Sequence, residues 1–355
     1  MAELSRYLQS QGHDAVPVAE DPAIRSTLSN TLRALPLPRR FQHMTGYGFI
    51  MPLRSYLGRQ RFEIVQSLHY TDACAALSNA AAAGHRTCFY VTGPPIPAAL
   101  RRVPPDRYLV RRAIRGADRV LVPSDYVAQI VREFYDVEAL VVPVPVNLCE
   151  FVPGYDPPAD PPVVLSVAAF DDRRKGVRPL VRAFLLLKCS RPELRLVLSG
   201  HMSAALRTEL TDMLPASARK DVEFAGVGEL EDLPALYRRA SVTVLPSKWE
   251  SYSMVLLESW ACGCPVVATA HGAIPELVTD SRTGLMFAPG HEGTEVNDVD
   301  GLAAAIDAGL RLRSQPGTRE LCRSKAEQYS WQRIGPIFEK VYADLLGRNG
   351  VCGVE

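Results

Sequence analysis

The sequence has almost no excess of charge, because 40 lysines and arginines face 39 aspartates and glutamates among 355 residues, for a net charge of +1. This balance argues against a nucleic-acid-binding protein that relies on bulk charge. No run of about 18 apolar residues is present, so no transmembrane helix is predicted. The N-terminal stretch MAELSRYLQSQGHD lacks the apolar run of a signal peptide. We therefore expect a cytoplasmic protein, either free or held peripherally on the inner face of a membrane.

Cysteine motifs for metal or redox chemistry are also missing. Eight cysteines are present, but none forms C-x-x-C, and only Cys262 and Cys264 lie close together. These two stand in an apolar run of small residues, which favours buried reduced thiols over a metal or redox site. Lysine is absent before Lys175. Codon bias alone can produce that pattern, although the arginines used instead also suit phosphate.

Apolar runs typical of strands alternate with helix-like segments along the whole chain. The first series contains the strands FEIVQSL, RTCFYVTG, DRVLVPS and EALVVPVPV, with a further short strand predicted at DAVPVAE. The second series contains PVVLSVAAF, LRLVLSG, DVEFAG, SVTVLPS, PVVATAHG and TGLMFAP. Continuous apolar strands separated by helices are typical of parallel sheets covered on both faces. The proline-rich VPGYDPPADPP, residues 152–162, is interpreted as a linker between the two series.

The predicted fold class is therefore α/β, with two Rossmann-like, doubly wound domains. We place the first domain at residues 1–152 and the second at 153–330, followed by a final helix at 331–348. Doubly wound domains bind ligands beyond the carboxyl ends of their strands. Two such domains facing each other would place a site in the cleft between them.

The segment LPSKWESYSMVLLESWACGCPVVATAHG, residues 245–272, carries two glutamates. Glu250 follows a predicted strand, and Glu258 lies eight residues later in a predicted helix. Because that helix would begin near Ser253, its first amides would be unpaired hydrogen-bond donors that favour an anion such as a phosphate. Those amides belong to Tyr252, Ser253 and Met254. The alternative is a pair of glutamates on a solvated helix face, but the apolar residues around Glu258 leave little such face.

These residues resemble a known family. The E-x7-E motif, preceded by Pro246-Ser247 and followed by ACGCPVVAT, resembles that of the retaining GT-B glycosyltransferases of family 4. VVLSVAAFDDRRKGVRPLVRAF resembles the family's phosphate segment, and ADRVLVPSDYVAQIV and VVPVPVNLCEF resemble its segments at the end of the first domain. The resemblance covers essentially the whole chain. It implies a GT-B fold in which the final helix crosses back to the first domain.

The resemblance also implies an activity. The chain would move a sugar from a nucleoside diphosphate donor to an acceptor hydroxyl with retention of configuration, using neither a cofactor nor a metal. Glu250 would contact the donor sugar and Glu258 the ribose of the nucleotide. Base contacts would come from the loop around residues 226–229, beginning at Gly226. The leaving diphosphate would itself serve as the base.

DDRRKG directly follows the first strand of the second domain. There, Arg174 and Lys175 would face the diphosphate and stabilise the charge that develops on it as it leaves. Gly176 would let the backbone turn or approach closely. A charged surface turn is the alternative interpretation of this segment.

Acceptor-side residues are expected at the strand ends of the first domain, around His69 and Thr92. For His69, an ordinary partly buried histidine is an equally good interpretation. Small-molecule, lipid-linked and polysaccharide acceptors all remain open, as does the oligomeric state. RYLVRRAIRGADR is a candidate for peripheral membrane contact, although a solvated helix face is favoured.

Three departures from the family pattern matter. Ala169 stands where the family usually has an arginine, so a contact worth ~1.5 to 3 kcal/mol is missing unless Arg173 or Arg174 supplies it. Thr92 stands where a histidine is frequent. The family's first strand and glycine-rich loop, normally upstream of the first helix, are not in the sequence. We hypothesise a misassigned start, which an N-terminal peptide of the native protein mapping to Met1 would contradict.

These departures leave a second hypothesis open, namely a non-catalytic sugar-nucleotide binder or partner subunit. It would bind nucleotide without turnover. A sugar phosphorylase or an epimerase on the same fold is a third possibility, which would respond to free phosphate or need no acceptor.

Overall fold

The computed structural model describes residues 2–17, 50–96, 104–154, 160–226, 233–290 and 298–347. The chain divides into two compact units. The first unit runs to Pro143 and resumes at Trp331, and the second comprises Val144–Ser330. The last described helix therefore belongs to the first unit, although it follows the second along the chain.

The described elements alternate between strand and helix. Up to Pro143 they are α1 (Ala2–Ser10), α2 (Ile50–Leu57), β1 (Ile64–Ser67), α3 (Tyr70–Ala83), β2 (Arg86–Tyr90), α4 (Pro104–Gly116), β3 (Arg119–Val122), α5 (Asp125–Tyr135) and β4 (Leu140–Val141). From Val144 onward they are β5 (Val163–Val167), a 3₁₀ turn (Arg173–Lys175), α6 (Val177–Lys188), β6 (Arg195–Ser199), α7 (Ala204–Met213), α8 (Ala216–Arg219), β7 (Val222–Gly226), α9 (Leu233–Arg239), β8 (Val242–Leu245), α10 (Met254–Ala261), β9 (Val266–Thr269), α11 (Ile274–Leu277), β10 (Gly284–Phe287), α12 (Val299–Arg313) and α13 (Thr318–Glu327), and the last is α14 (Trp331–Leu345).

The first unit contains a parallel sheet of four described strands in the order β1-β2-β3-β4. Its strands bury apolar side chains such as Phe89 and Val120 against the surrounding helices. Helix α14 joins this unit through a stack of Trp331 on Tyr7, with ring centroids 5.4 Å apart. At its other end, the Tyr342 hydroxyl donates to the Gln66 side chain at 2.7 Å. The carboxyl ends of all four strands lie at the same edge of the sheet, because the strands are parallel.

The second unit contains a six-stranded parallel sheet in the order β10-β9-β8-β5-β6-β7. Counted from β5, this is the doubly wound order 3-2-1-4-5-6. Successive strand residues enter cores on opposite faces, as Val164 packs with one apolar cluster and Leu165 with the other. The predicted α/β class and its doubly wound arrangement are confirmed in this unit. The order reverses between β5 and β8, which makes that point the place where a ligand crevice is expected.

Several predicted elements differ from the structure. The strand predicted at EALVVPVPV is reduced to Leu140–Val141 plus a single bridge between Val146 and Ser330. Pro143 and Pro145 explain this, since proline has no N–H to donate to a sheet. Of the strand predicted at DAVPVAE, residues 14–17 are not strand and the rest lie outside the described residues. Helices α2, α8 and α13 were not predicted.

The basic segment RYLVRRAIRGA forms most of α4, as predicted. The inward side of this helix buries Val110, Ala113 and Ile114. Within the part of the chain that the structure describes, no helix is both long and apolar enough to span a bilayer.

Candidate functional site

Two connections meet at the reversal point of the second sheet. Strands β5 and β8 pair directly, with Val164 opposite Val242 and Leu165 opposite Thr243. After β5 the chain forms the turn Arg173–Lys175, and after β8 it forms the loop 246–250. Both therefore lie beyond the carboxyl ends of neighbouring strands, at the switch point where doubly wound sheets hold their ligands.

The turn after β5 has a tightly specified backbone. Asp172 caps it by accepting a hydrogen bond from the Arg174 amide at 3.0 Å. Gly176 ends it in the left-handed region, at φ +64°. A Cβ at this position would overlap the carbonyl oxygen of Pro246, well inside the 3.0 Å that Cβ contacts respect. Glycine is required here both by the left-handed conformation and by the close approach of the two backbones.

The turn docks along the loop after β8. The Lys248 amide donates to the carbonyl of Arg174 at 2.7 Å. The guanidinium of Arg174 lies over the ring of Trp249, 4.0 Å from its centroid. The same guanidinium donates through Nε to Asp172 at 3.2 Å and makes a second, shorter bond through Nη2. Arg174 therefore holds the turn against the loop through its cation–π contact, while its salt bridge with Asp172 stabilises the turn itself.

The central contact joins the two segments through their charged side chains. Lys175 Nζ lies 2.6 Å from Glu250 Oε1, with side chains that are only 22% and 12% exposed. The other carboxylate oxygen, Oε2, accepts no hydrogen bond from the described residues. Because an ammonium group has three N–H donors, Lys175 keeps donors for a ligand, and Glu250 keeps Oε2 as an acceptor.

The backbone of Glu250 is fixed from a third strand end. After β9, Ala273 donates its amide to the Glu250 carbonyl at 2.9 Å. Gly272 has φ +66°, and a Cβ there would overlap that same carbonyl oxygen. Glu250 is thus held by residues that follow β5, β8 and β9.

Glu258 lies in α10, which begins directly after Ser253, close to the start that the sequence predicted. Ser253 caps the helix by accepting from the Leu256 amide at 3.4 Å. The Tyr237 hydroxyl donates to Glu258 Oε2 at 2.8 Å. Tyr237 is fully buried, and burial together with the neighbouring carboxylate raises its pKa well above the ordinary value. The tyrosine therefore stays protonated and orients the carboxylate.

Comparison with known proteins now identifies the family. The family model described as Glycosyl transferases group 1 matches residues 161–311, and the model described as Glycosyltransferase Family 4 matches residues 1–149. The chain belongs to the group 1, family 4 glycosyltransferases. The two matches divide the chain into a C-terminal and an N-terminal part, in keeping with the two α/β units of a GT-B fold.

Individual relatives agree with this family. The chain is 30% identical to a D-inositol 3-phosphate glycosyltransferase of Corynebacterium jeikeium over 67% of its own length, and it spans 60% of that relative. It is 26% identical to a phosphatidyl-myo-inositol mannosyltransferase of Propionibacterium freudenreichii, with 98% of this chain and 90% of the relative covered. Among solved structures, the sucrose-phosphate synthase of Thermosynechococcus elongatus superposes with a TM-score of 0.75 at 23% identity, covering 89% of this chain and 83% of that one.

The other residues predicted from the family pattern lie at strand ends. Gly226, at the end of β7, has φ +67° and lines a small cavity of about 130 Å³ with His201 and Phe224. The rest of the predicted base-binding loop, 227–229, lies outside the described residues. Ala169, where the family usually has an arginine, is exposed just beyond β5. The Tyr252 hydroxyl donates to the Val144 carbonyl at 3.3 Å, while the phosphate role of the amides of Tyr252, Ser253 and Met254 stays a prediction.

In the first unit, His69 and Thr92 are exposed residues that follow β1 and β2. His69 has a structural role, because it caps α3 by accepting from the Thr71 amide through Nδ1 at 3.4 Å. Its Nδ1 also lies 2.7 Å from the Thr71 hydroxyl. An acceptor-side role for either residue stays a prediction.

The cysteine pair near the motif is buried. Cys262 and Cys264 are free thiols with 1% and 0% exposure. Burial raises the pKa of the Cys262 thiol to about 12. Within the described ranges, no group of three or more histidine, cysteine, aspartate or glutamate side chains is arranged to hold a metal ion.

Sequence reasoning missed three residues that contact the candidate site. Trp249 receives the guanidinium of Arg174, Lys248 ties the loop to the turn, and Tyr237 orients Glu258. A signal for Trp249 was present, since it directly precedes Glu250 and aromatic rings bind guanidinium groups. Tyr237 gave no such signal, because it lies on a different helix and looks like an ordinary core residue.

Proposed function

We propose that this glycosyltransferase-family chain transfers a sugar from a nucleoside diphosphate donor to an acceptor hydroxyl with retention of configuration. The observation that carries the proposal is the contact of Lys175 with Glu250 at the switch point of the second sheet. A cation for the diphosphate and a carboxylate for the sugar stand side by side where this class of fold binds its ligands.

The two side chains would divide the donor between them. Lys175 would turn its remaining N–H donors to the diphosphate, and stabilisation of that charge as it leaves is the main catalytic contribution expected. Glu250 would accept hydrogen bonds from sugar hydroxyls through Oε2, while its contact with Lys175 holds it in place. Glu258, oriented by Tyr237, would accept from the ribose.

Arg174 enters the proposal in a changed role. Its guanidinium already contacts Asp172 and Trp249. We therefore propose that Arg174 mainly positions Lys175 by holding the turn, and that Lys175 carries the direct charge contact with the diphosphate. Ser247 adds a buried hydroxyl that has no hydrogen-bond partner among the described residues, which makes it a further group that a bound phosphate would satisfy.

The names of the relatives guide the choice of acceptors. Because they include a D-inositol 3-phosphate glycosyltransferase and a phosphatidyl-myo-inositol mannosyltransferase, inositol phosphates and phosphatidylinositol belong in the first acceptor set. The acceptor is proposed to bind on the first unit, near His69 and Thr92.

The test is a screen for nucleoside diphosphate release with UDP-, GDP-, ADP- and dTDP-sugars, with and without these acceptors. The proposal expects release with one class of donor, at least 100-fold slower in Glu250→Gln and in Lys175→Gln. Lys188→Gln is the matched control, because Lys188 pairs with Asp221 at 2.8 Å with similar side-chain burial, 15% and 14% exposed. If Lys188→Gln, still folded, lost activity as fully as Lys175→Gln, the special role of the Lys175 pair would be refuted.

A non-catalytic sugar-nucleotide binder is the alternative, favoured by the exposed alanine at position 169. It predicts that nucleoside diphosphates raise the unfolding temperature while no donor is turned over with any acceptor. It also predicts that Ala169→Arg tightens nucleotide binding. The product of the transfer reaction, analysed for its anomeric configuration, decides between retention and inversion.

A further inference from the structure

Helix α4 of the first unit presents an outward face made of arginine. Four arginines on this face are Arg107, Arg111, Arg112 and Arg115, and all four are exposed. Arg107, Arg111 and Arg115 follow one another at four-residue spacing, so they form a row about 12 Å long on the helix. Tyr108 lies beside this row and is 63% exposed. We name Arg107, Tyr108, Arg111, Arg112 and Arg115 the arginine face.

Its charges are not balanced locally. Among the described residues, Arg107, Arg111 and Arg112 form an ion pair with no carboxylate, and Arg115 donates to the backbone carbonyl of Tyr135 at 2.7 Å. The acidic residues that flank the arginine face along the chain are engaged elsewhere, because Asp106 is buried and accepts from Tyr70, and Asp118 pairs with Arg86. The arginine face therefore keeps its positive charge.

This arrangement is not explained by the composition or by the stability of the helix. The net charge of the whole chain is only +1, so the concentration of arginine is local. Some exposed arginines elsewhere have carboxylate partners, as Arg132 has Glu138, and others, such as Arg182, have none among the described residues. The arginine face is marked instead by the placement of four exposed arginines within nine residues of one helix. Like charges four residues apart destabilise a helix. A cost of this kind is relieved when an anionic surface covers the face.

We propose that the arginine face docks the protein on an anionic lipid bilayer. Its arginines are exposed along one side of a helix, which suits a flat array of phosphates that Arg107, Arg111 and Arg112 can each bind in bidentate fashion. Tyr108 is the type of side chain that settles at the interface between headgroups and acyl chains. A single-stranded nucleic acid would instead need several stacking aromatics along a groove, and the arginine face offers one tyrosine on a convex helix.

The experiment is cosedimentation of the full chain with vesicles of phosphatidylcholine, with and without phosphatidylglycerol. The proposal expects binding to the anionic vesicles that falls as salt is raised, and little binding to the neutral ones. Replacing Arg107, Arg111 and Arg112 by glutamine should weaken that binding by about 100-fold, given the usual gain per basic side chain near such a surface. Arg115 is left in place because it contacts the backbone of α5.

The matched control is the triple variant Arg182→Gln, Arg195→Gln and Arg333→Gln. It removes the same charge at exposed positions that also have no ion pair among the described residues. It should bind anionic vesicles like the parent chain. Equal weakening in both triple variants would reduce the effect to net charge and overturn the proposal.

A second arm separates the bilayer from other polyanions. Tyr108→Ser should weaken vesicle binding while leaving the weaker binding to soluble heparin unchanged. Binding to single-stranded RNA that matches or exceeds binding to anionic vesicles would overturn the proposal in favour of a nucleic acid. Circular dichroism and the unfolding temperature of each variant confirm that it is folded before its binding is compared.

Discussion

Replacing Gly176 with alanine tests whether the turn Arg173–Lys175 must lie directly against the Pro246 backbone. Gly317→Ala is the matched control, because Gly317 also has a positive φ, +82°, but an added Cβ there would have nothing within 4 Å. The control measures only the conformational cost of alanine in the left-handed region, about 1 kcal/mol. Alanine also lowers the conformational entropy of the unfolded chain, which offsets part of this cost.

Gly176→Ala carries that cost and a steric one. The Pro246 carbonyl would have to move by roughly 1 Å, since packed interiors leave no room for the extra methyl group. This shift separates Arg174 from Lys248 and from Trp249, and so removes a hydrogen bond worth ~1 kcal/mol and a cation–π contact worth ~0.5 to 1 kcal/mol. The expected loss of stability is about 2 to 3 kcal/mol, against about 0.5 to 1 kcal/mol for the control.

Urea unfolding of the full chain, followed by tryptophan fluorescence and circular dichroism, measures both losses. Fluorescence is informative because Trp249 lies under the guanidinium of Arg174. Nucleoside diphosphate release should also fall at least tenfold in Gly176→Ala and stay near the parent level in Gly317→Ala, since displacement of Lys175 by 1 Å misplaces its charge. Equal unfolding midpoints and equal release in the two variants would refute the close-packing argument.

Three further predictions concern the contact of Arg174 with Trp249, the partner of Glu258 and the cysteines. In a double-mutant cycle, Arg174→Gln and Trp249→Leu should show a coupling of about 0.5 to 1 kcal/mol in urea unfolding, and additive losses would contradict the cation–π contact. Tyr237→Phe removes the donor to Glu258 and should raise the KM for the sugar donor severalfold with little change in kcat. Burial raises the pKa of Tyr237 in the folded chain above its unfolded value of about 10. The protonated tyrosine therefore contributes its full stabilisation of the folded chain below pH 10, and this contribution declines as the pH rises above about 10. At pH 8, iodoacetamide should label the exposed Cys149 and Cys189 within minutes. Cys88 and Cys262 should stay unmodified until the chain unfolds, because burial raises the pKa of each of these two thiols to about 12. Rapid labelling of Cys262 in the native chain would contradict its burial.

Much of the fold could be predicted because the second sheet consists of continuous apolar strands separated by helices. Strands such as Val242–Leu245 and Val266–Thr269 are buried on both faces, so their composition alone identifies them. The prediction failed where local chemistry changes the outcome. Pro143 and Pro145 shorten a run of valines that otherwise has the pattern of a strand.

The sequence named the residues of the candidate site, whose roles stay predictions, but it did not give their contacts. Lys175 and Glu250 are 75 residues apart, and they meet because β5 and β8 are neighbours in the doubly wound order. The sequence indicated both residues through the family pattern, but it gave Arg174 the same role as Lys175. The structure gives the two side chains different contacts, because Arg174 lies over Trp249 and Lys175 lies beside Glu250, and no spacing rule predicts such side-chain contacts.

The central claim is that Lys175 binds the diphosphate while Glu250 binds the sugar. Its most direct test is calorimetric titration of the nucleoside diphosphate of the preferred donor into the parent chain, Lys175→Gln and Glu250→Gln. If Lys175 binds the diphosphate, Lys175→Gln should weaken binding at least tenfold. Glu250→Gln should leave binding unchanged or tighten it by freeing Lys175, even though sugar transfer is lost. Equal weakening in both variants, or no weakening in Lys175→Gln, would contradict this division of roles.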